Sequence, residues 1–240
     1  MEDGVPGTAA VLFDIDGTLM VRSSPHLAVI ADTLSDRVGR RVTLVIEGER
    51  PHLDGRDISG WVDVQIVRDV LSGHLGRAPT RGEADDVMRD YAARFRATLH
   101  PDDAGTPVAG IEPTLVRLRA MGIGLGLVTG NASEIARAKL EAVGLADYFS
   151  FDRDLGFGDW RDDRAASVEA AVVTACGPGP RASVMTVGDT TADVRAASAA
   201  GALGIGVLTG ASTADELAAA GAWRVVPSAT DVLGLVRAVR

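Results

Sequence analysis

The feature that most constrains this chain is a run near its start, Val11-Leu12-Phe13-Asp14-Ile15-Asp16-Gly17-Thr18-Leu19, where apolar sequence gives way abruptly to two carboxylates and a glycine. Ala9 to Phe13 carries no charge and is made of alanine, leucine, β-branched and aromatic residues. That is the composition of a strand buried on both faces in the middle of a parallel sheet. Asp14 and Asp16 fall at its carboxyl end and share a side if strand geometry persists, while Gly17 lets the chain bend away. In open parallel sheets ligands bind at that end. Asp16-Gly17 alone reads as a hairpin turn. A turn does not need the earlier aspartate, and a carboxylate at the edge of an apolar strand is costly unless a cation meets it. The run is therefore expected to carry chemistry.

Beyond Leu19 the periodicity changes. From Pro25 to about Leu99 it is helical: Leu27, Ile30, Ala31 and Leu34 share one stripe, Ile66, Val67, Val70 and Leu71 a second, and Val87, Tyr91 and Phe95 a third. The spacing predicts a small helical bundle interrupted by an exposed loop over residues 47–57, which is rich in glycine, proline and charge. Residues 101–107 read as a linker. From Ile111 helices and strands alternate. Helices are expected over residues 112–120, 133–143 (Ser133 as N-cap), 163–175, 191–200, 214–220 and 229–239, and strands over 123–128, 148–151, 182–187, 203–207 and 223–226. Alternation of this kind specifies an α/β fold, a doubly wound parallel sheet with a helical insertion after the first strand. Gly122-Ile123-Gly124-Leu125-Gly126 is not a dinucleotide-binding turn, because those glycines precede the strand end and the last required glycine falls on Leu127.

Charge narrows the partners. A formal net charge of −9 opposes binding to nucleic acid, which draws its affinity from clustered Lys and Arg. No apolar run reaches the length of a membrane span and the first residues are acidic, so the expected location is the cytoplasm and no membrane partner is expected. Cys176 is the only cysteine, which rules out an internal disulfide, and it reads as a small packing residue. His26, His52, His74 and His100 are spaced too widely for a metal cluster and read as surface or helix-packing residues.

Two further strand ends carry polar residues. One is Thr129-Gly130-Asn131, at a helix start where backbone N–H groups favour an anion, although Thr and Asn are also ordinary caps. The other is Gly188-Asp189-Thr190-Thr191-Ala192-Asp193. Asp193 reads equally well as an acid in a first helical turn, whereas Asp189 belongs to the strand end. Together with Asp14 and Asp16 this is an inventory for Mg²⁺ held by a few carboxylate oxygens while a phosphate supplies others.

The constellation resembles the haloacid dehalogenase superfamily, specifically its phosphatase branch with a helical cap, the phosphoglycolate phosphatase-like enzymes, over essentially the whole chain. The resemblance implies a Rossmann-like core of residues 1–20 and 108–240 and a cap of residues 21–107. It implies Asp14 as nucleophile and Asp16 as acid/base. It places Mg²⁺ on Asp14, the backbone carbonyl of Asp16 and Asp189, with Asp193 in support, and gives Thr129, Gly130 and Asn131 the phosphoryl oxygens. The family's third motif is generally a lysine. Lys139, the only lysine, lies ten residues after Thr129 on a helix expected to lead away, and reads as a surface residue. Arg164 resembles the arginine variant of that motif, with Arg161 as the fallback. The stretch holding Arg56, Trp61 and Asp63 resembles the family's substrate-specificity segment; the alternative is an exposed loop with one packing tryptophan. The implied activity is Mg²⁺-dependent hydrolysis of a small phosphorylated metabolite through an aspartyl-phosphate. A sugar phosphomutase would share every core residue. A dehalogenase needs no metal and generally lacks the second aspartate, and a catalytically silent binding protein would be expected to have lost one of Asp14, Asp16 and Asp189.

Overall fold

A computed structural model describes residues 7–236 apart from 22–24, 49, 101–102, 104, 152–155, 160, 162 and 211. The first strand, β1 (Ala10–Phe13), is buried throughout. Its side chains divide as alternation requires, Val11 and Phe13 into one apolar cluster and Leu12 into another on the opposite face. A short β2 (Met20–Val21) follows. The inserted segment then runs α1 (Pro25–Val38), β3 (Leu44–Glu47), β4 (Arg50–Leu53), β5 (Arg56–Asp57), α2 (Asp63–Leu75) and α3 (Arg81–Thr98). The chain returns through β6 (Thr106–Pro107), which pairs antiparallel with β2, Met20 opposite Pro107.

The remainder alternates as the pattern requires: α4 (Ile111–Ala120), β7 (Gly124–Leu127), α5 (Ser133–Ala142), α6 (Arg164–Cys176), β8 (Val184–Gly188), α7 (Thr191–Ala199), β9 (Leu203–Val207), α8 (Ala214–Ala219) and β10 (Arg224–Val226). The five long-range strands form one parallel sheet in the order β10-β9-β8-β1-β7. In it Phe13 is level with both Leu127 and Val187, so the strand ends that carry Asp14, Thr129 and Asp189 lie side by side with Asp14 in the middle. The fold is α/β and doubly wound.

The inserted helices have their own apolar cluster, built on Leu34, Val67, Tyr91 and Phe95, and it is completed by Ala132, Ile135 and Ala138 at the start of α5. The same helix sends Ala136 and Leu140 into the cluster on the sheet. Helix α5 is thus buried on two sides.

Three expectations fail locally. Residues 47–57 are not a loop but part of a three-stranded antiparallel sheet, with Pro51 and Leu53 buried. Asp54-Gly55, at φ 48° and 79°, makes the two-residue turn that such pairs favour, so the glycine and charge content marked turns between strands. Residues 148–151 do not form a strand. A 3₁₀ turn covers Ala146–Tyr148, and the aromatics beyond it pack through their side chains, Phe149 edge-on to Phe13 and Phe151 stacked on Phe157. The closing helix is a 3₁₀ turn, Ala229–Gly234, capped by Ser228, and residues 237–239 of the expected helix lie outside the described residues. No helix among the described residues is long and apolar enough to cross a membrane.

Candidate active site

Asp14 sits 6% exposed at the end of β1, between Asp189 (1%) beyond β8 and Thr129 (1%) beyond β7. Its cation is Arg164, at the first position of α6, a helix started by Asp163, whose side chain accepts the Ala166 N–H. Arg164 Nη2 lies 3.2 Å from Asp14 Oδ1 and also binds Asp193. Burial pushes the Asp14 carboxyl up to about 6; Arg164 opposes this, and the neighbouring charges of Asp193 and Asp16 add to it. Burial acts against the Arg164 charge, but Asp193 and Asp14 more than offset it and hold the guanidinium firmly protonated. Asp193 has two sets of neighbours. It forms a capping box with Thr190 at the start of α7, and it belongs to the acid cluster. Arg161, the fallback, is exposed.

Asp14, Asp189 and Asp193 each bring an oxygen within 4.8 Å of the others. Three carboxylates converging at the ends of two strands are costly to bury without positive charge, and their hard oxygens suit Mg²⁺. The surroundings fit as well: a Cβ on Gly17, at φ 78°, would come within 2.7 Å of Asp189 Cγ, so only glycine leaves this cradle open. The carboxylate of Asp16 is not in the cluster.

Asp16 turns the other way, and here the sequence reading is corrected. Lys139 is not a surface residue: it is fully buried, and its Nζ lies 2.7 Å from Asp16 Oδ2, 2.7 Å from Asn131 Oδ1 and 2.9 Å from His26 Nδ1. Asn131 Nδ2 donates to the same Asp16 oxygen at 2.9 Å and to Thr129 Oγ1 at 3.0 Å. Against the cost of burial, the charges of Lys139 and His26 and these hydrogen bonds hold Asp16 well below the usual carboxylate range. A helical side chain slants toward the helix start, so a lysine two turns along α5 reaches back to Asn131. A signal was available: Lys139 shares the stripe of Ile135 and Ala138, which the inserted helices cover. His26 was likewise missed. It is 7% exposed at the start of α1, one turn before Ile30, and neither a surface nor a simple packing residue.

The inserted segment closes the site from above. Asp63 N–H donates to Gly130 O at 2.8 Å and Val64 N–H to Gly158 O at 3.0 Å. A Cβ on Gly130 would sit 2.5 Å from Trp61 O, so a glycine here is what lets this segment approach. Ser133 does not cap α5. The N-cap is Ala132, whose N–H donates to Asp63 Oδ2 at 2.8 Å, while Ser133 Oγ donates to Asp159. Burial raises Asp63 to about 7, partly countered by that bond, by Lys139 and by the Tyr91 hydroxyl. Trp61, Asp63, Gly130 and Asn131 line the cavity with Asp14 and Asp16, whereas Arg56 does not. Arg56 is exposed and paired with Asp69, on a neighbouring cavity in the inserted segment.

The sequence profile of the family described as haloacid dehalogenase-like hydrolase matches residues 8–201. The chain is 30% identical over 232 residues to a protein named Probable phosphatase IndB from Dickeya dadantii, covering 95% of this chain and 94% of that one. It is 32% identical over 219 residues to a phosphoglycolate phosphatase from Chromobacterium violaceum, covering 88% and 89%. Among solved structures, a hydrolase from Pseudomonas syringae shares the fold with a TM-score of 0.61 at 22% identity, over 94% of this chain and 96% of that one. A profile matched over most of the chain, a relative alike from end to end and a shared fold agree: this chain belongs to the haloacid dehalogenase-like hydrolases, on their phosphatase branch.

Proposed function

We propose that the protein is a Mg²⁺-dependent phosphomonoester hydrolase working through an aspartyl-phosphate on Asp14, with residues 21–107 as its cap. The observation that carries this is the placement of Asp14 at the central strand end, 3.2 Å from Arg164 and within the acid cluster of Asp189 and Asp193. Asp14, the Asp16 carbonyl, Asp189 and Asp193 would hold the metal, which when bound screens the carboxylates from an incoming phosphate.

An Asp14 oxygen attacks phosphorus and the bond to the leaving oxygen breaks. Arg164, the backbone amides after Thr129 and the Asn131 turn orient the phosphoryl group, and positioning of this kind dominates phosphoryl transfer. Asp16 gives a proton to the departing alkoxide, then takes one from the water that attacks phosphorus and frees Asp14. Held ionised in the resting site, Asp16 is ready as the base. As the acid it must first take up a proton, which the Lys139 ammonium at 2.7 Å opposes by favouring the carboxylate. Asp16 Oδ1, buried without a hydrogen-bond partner among the described residues, is the oxygen left for the leaving group. The cap keeps bulk water away while the phosphoenzyme exists.

The test is phosphate release from a panel of small phosphate monoesters, with Mg²⁺ and with excess chelator. Release that needs Mg²⁺ supports the reading. Full activity in chelator, or isomerised sugar phosphate without phosphate release, overturns it.

A further inference from the structure

Resting on the phosphatase reading above, we infer that the ester this site takes has an uncharged leaving group whose apolar face lies against Ile58, Trp61 and Ile66, and that a leaving group with its own carboxylate is rejected. The cavity over Asp14, about 60 Å³, has two unlike halves. The core half is charged. The cap half is walled by Leu27, Pro51, Ile58, Trp61 and Ile66, with Asp63 as its acid.

A substrate carboxylate held there would need a cation, since a buried charge without a partner is expensive. Among the described residues of the lining only Arg164 and His26 are basic. Arg164 is shared between Asp14 and Asp193 and faces the phosphoryl position. His26 is directed at Lys139 and Asp16. Lys139 is sealed from the cavity, and an ammonium has three donors, all of which are taken by Asp16, Asn131 and His26. Among the described residues an anionic leaving group would therefore meet an apolar wall and the Asp63 carboxyl.

The same wall has a second side. Ile58, Trp61 and Ile66 also border the second cavity, about 140 Å³, in the cap. The wall thus stands between the leaving group and that second space.

The experiment compares kcat/KM of the intact protein, with Mg²⁺, for ethyl phosphate, phenyl phosphate and phosphoglycolate. Ethyl phosphate is expected to exceed phosphoglycolate by roughly ten-fold or more, the cost of desolvating an unpaired carboxylate. Phosphoglycolate equal to or better than ethyl phosphate overturns the inference and leaves the phosphatase reading intact; no turnover of any ester overturns both. Trp61→Arg places a cation on the wall at a partly exposed position. It is expected to raise the ratio of phosphoglycolate to ethyl phosphate by roughly ten-fold, and an unchanged ratio would mean that the wall does not meet the leaving group.

Discussion

Asp14 and Asp16 stand two residues apart, equally buried, each against a cation, yet their carboxyls are displaced in opposite directions. Asp14 shares Arg164 with Asp193 and faces further acids, so burial wins and it rises to about 6. Asp16 has Lys139 and an Asn131 amide on one oxygen, with His26 near by, so attraction wins. Burial alone thus says little about a buried carboxylate; what counts is how many anions each cation serves. The division also has a structural basis. The Asp14 side is made of strand ends and helix starts around the parallel sheet, whereas the Asp16 side joins these to α1 of the inserted segment.

The largest expected effect tests the Asp14 side. Asp14→Asn, isosteric but not nucleophilic, should lower phosphate release by roughly 10³-fold or more while far-ultraviolet circular dichroism stays native. Substantial turnover by the folded variant would remove Asp14 from the chemistry.

Lys139→Met addresses the other side. It strands Asp16 in a buried site without its cation, for an expected cost of about 3–5 kcal/mol in urea unfolding. Adding Asp16→Asn should recover part of that loss, because the orphaned charge is gone. A surface lysine would show neither effect.

The opposite displacements also predict a pH dependence for the metal-free protein. Asp14 binds its proton more tightly folded, at about 6, than unfolded, near an ordinary carboxyl of about 3.9, so between those values the native state holds more protons. Its contribution to stability therefore falls as pH rises from about 4 to about 6, by roughly 1–3 kcal/mol. Asp16, displaced downward, favours the fold above about 4 and loses that contribution as pH falls below it. Unfolding curves of wild type and Asp14→Asn across this range isolate the Asp14 share, and Mg²⁺ should flatten it. Identical slopes in the two proteins would mean that Asp14 is an ordinary carboxyl.

The smallest effect is Arg164→Lys, which keeps the charge but loses the fork serving Asp14 and Asp193 at once. A drop of about ten-fold in kcat/KM is expected, equivalent to about 1.4 kcal/mol. An unchanged rate would show that charge alone suffices there.

The contrast between the two sides also explains what was legible in the sequence. Strand ends announce themselves, because an apolar run that stops at a carboxylate is a local pattern; Asp14, Thr129 and Asp189 were readable for that reason, and sheet order then aligned them. The Lys139 network was hidden because it depends on what covers α5, and a helix buried on two sides carries no single apolar stripe to say which face is wet. Its position relative to Ile135 held the clue, but the inserted helices had to be packed on α5 to give it meaning. The three-stranded sheet in the inserted segment was missed for a different reason. Short strands leave little periodicity, and Asp54-Gly55 was weighed as composition where its pairing mattered.

The central place of β1 also bears on how the molecule is made. Ala10 precedes its partners Gly124 and Val184 by 114 and 174 residues, so the strand bearing Asp14 waits through that much synthesis before it has both neighbours. Pairing across such separations closes long loops and comes late in folding. Arg164 and Asp189 arrive over the same interval, Asp189 directly after β8. The acids at the end of β1 therefore leave water only as their counter-charge arrives, and a nascent chain halted before β8 has neither the complete sheet nor the acid cluster at its strand ends.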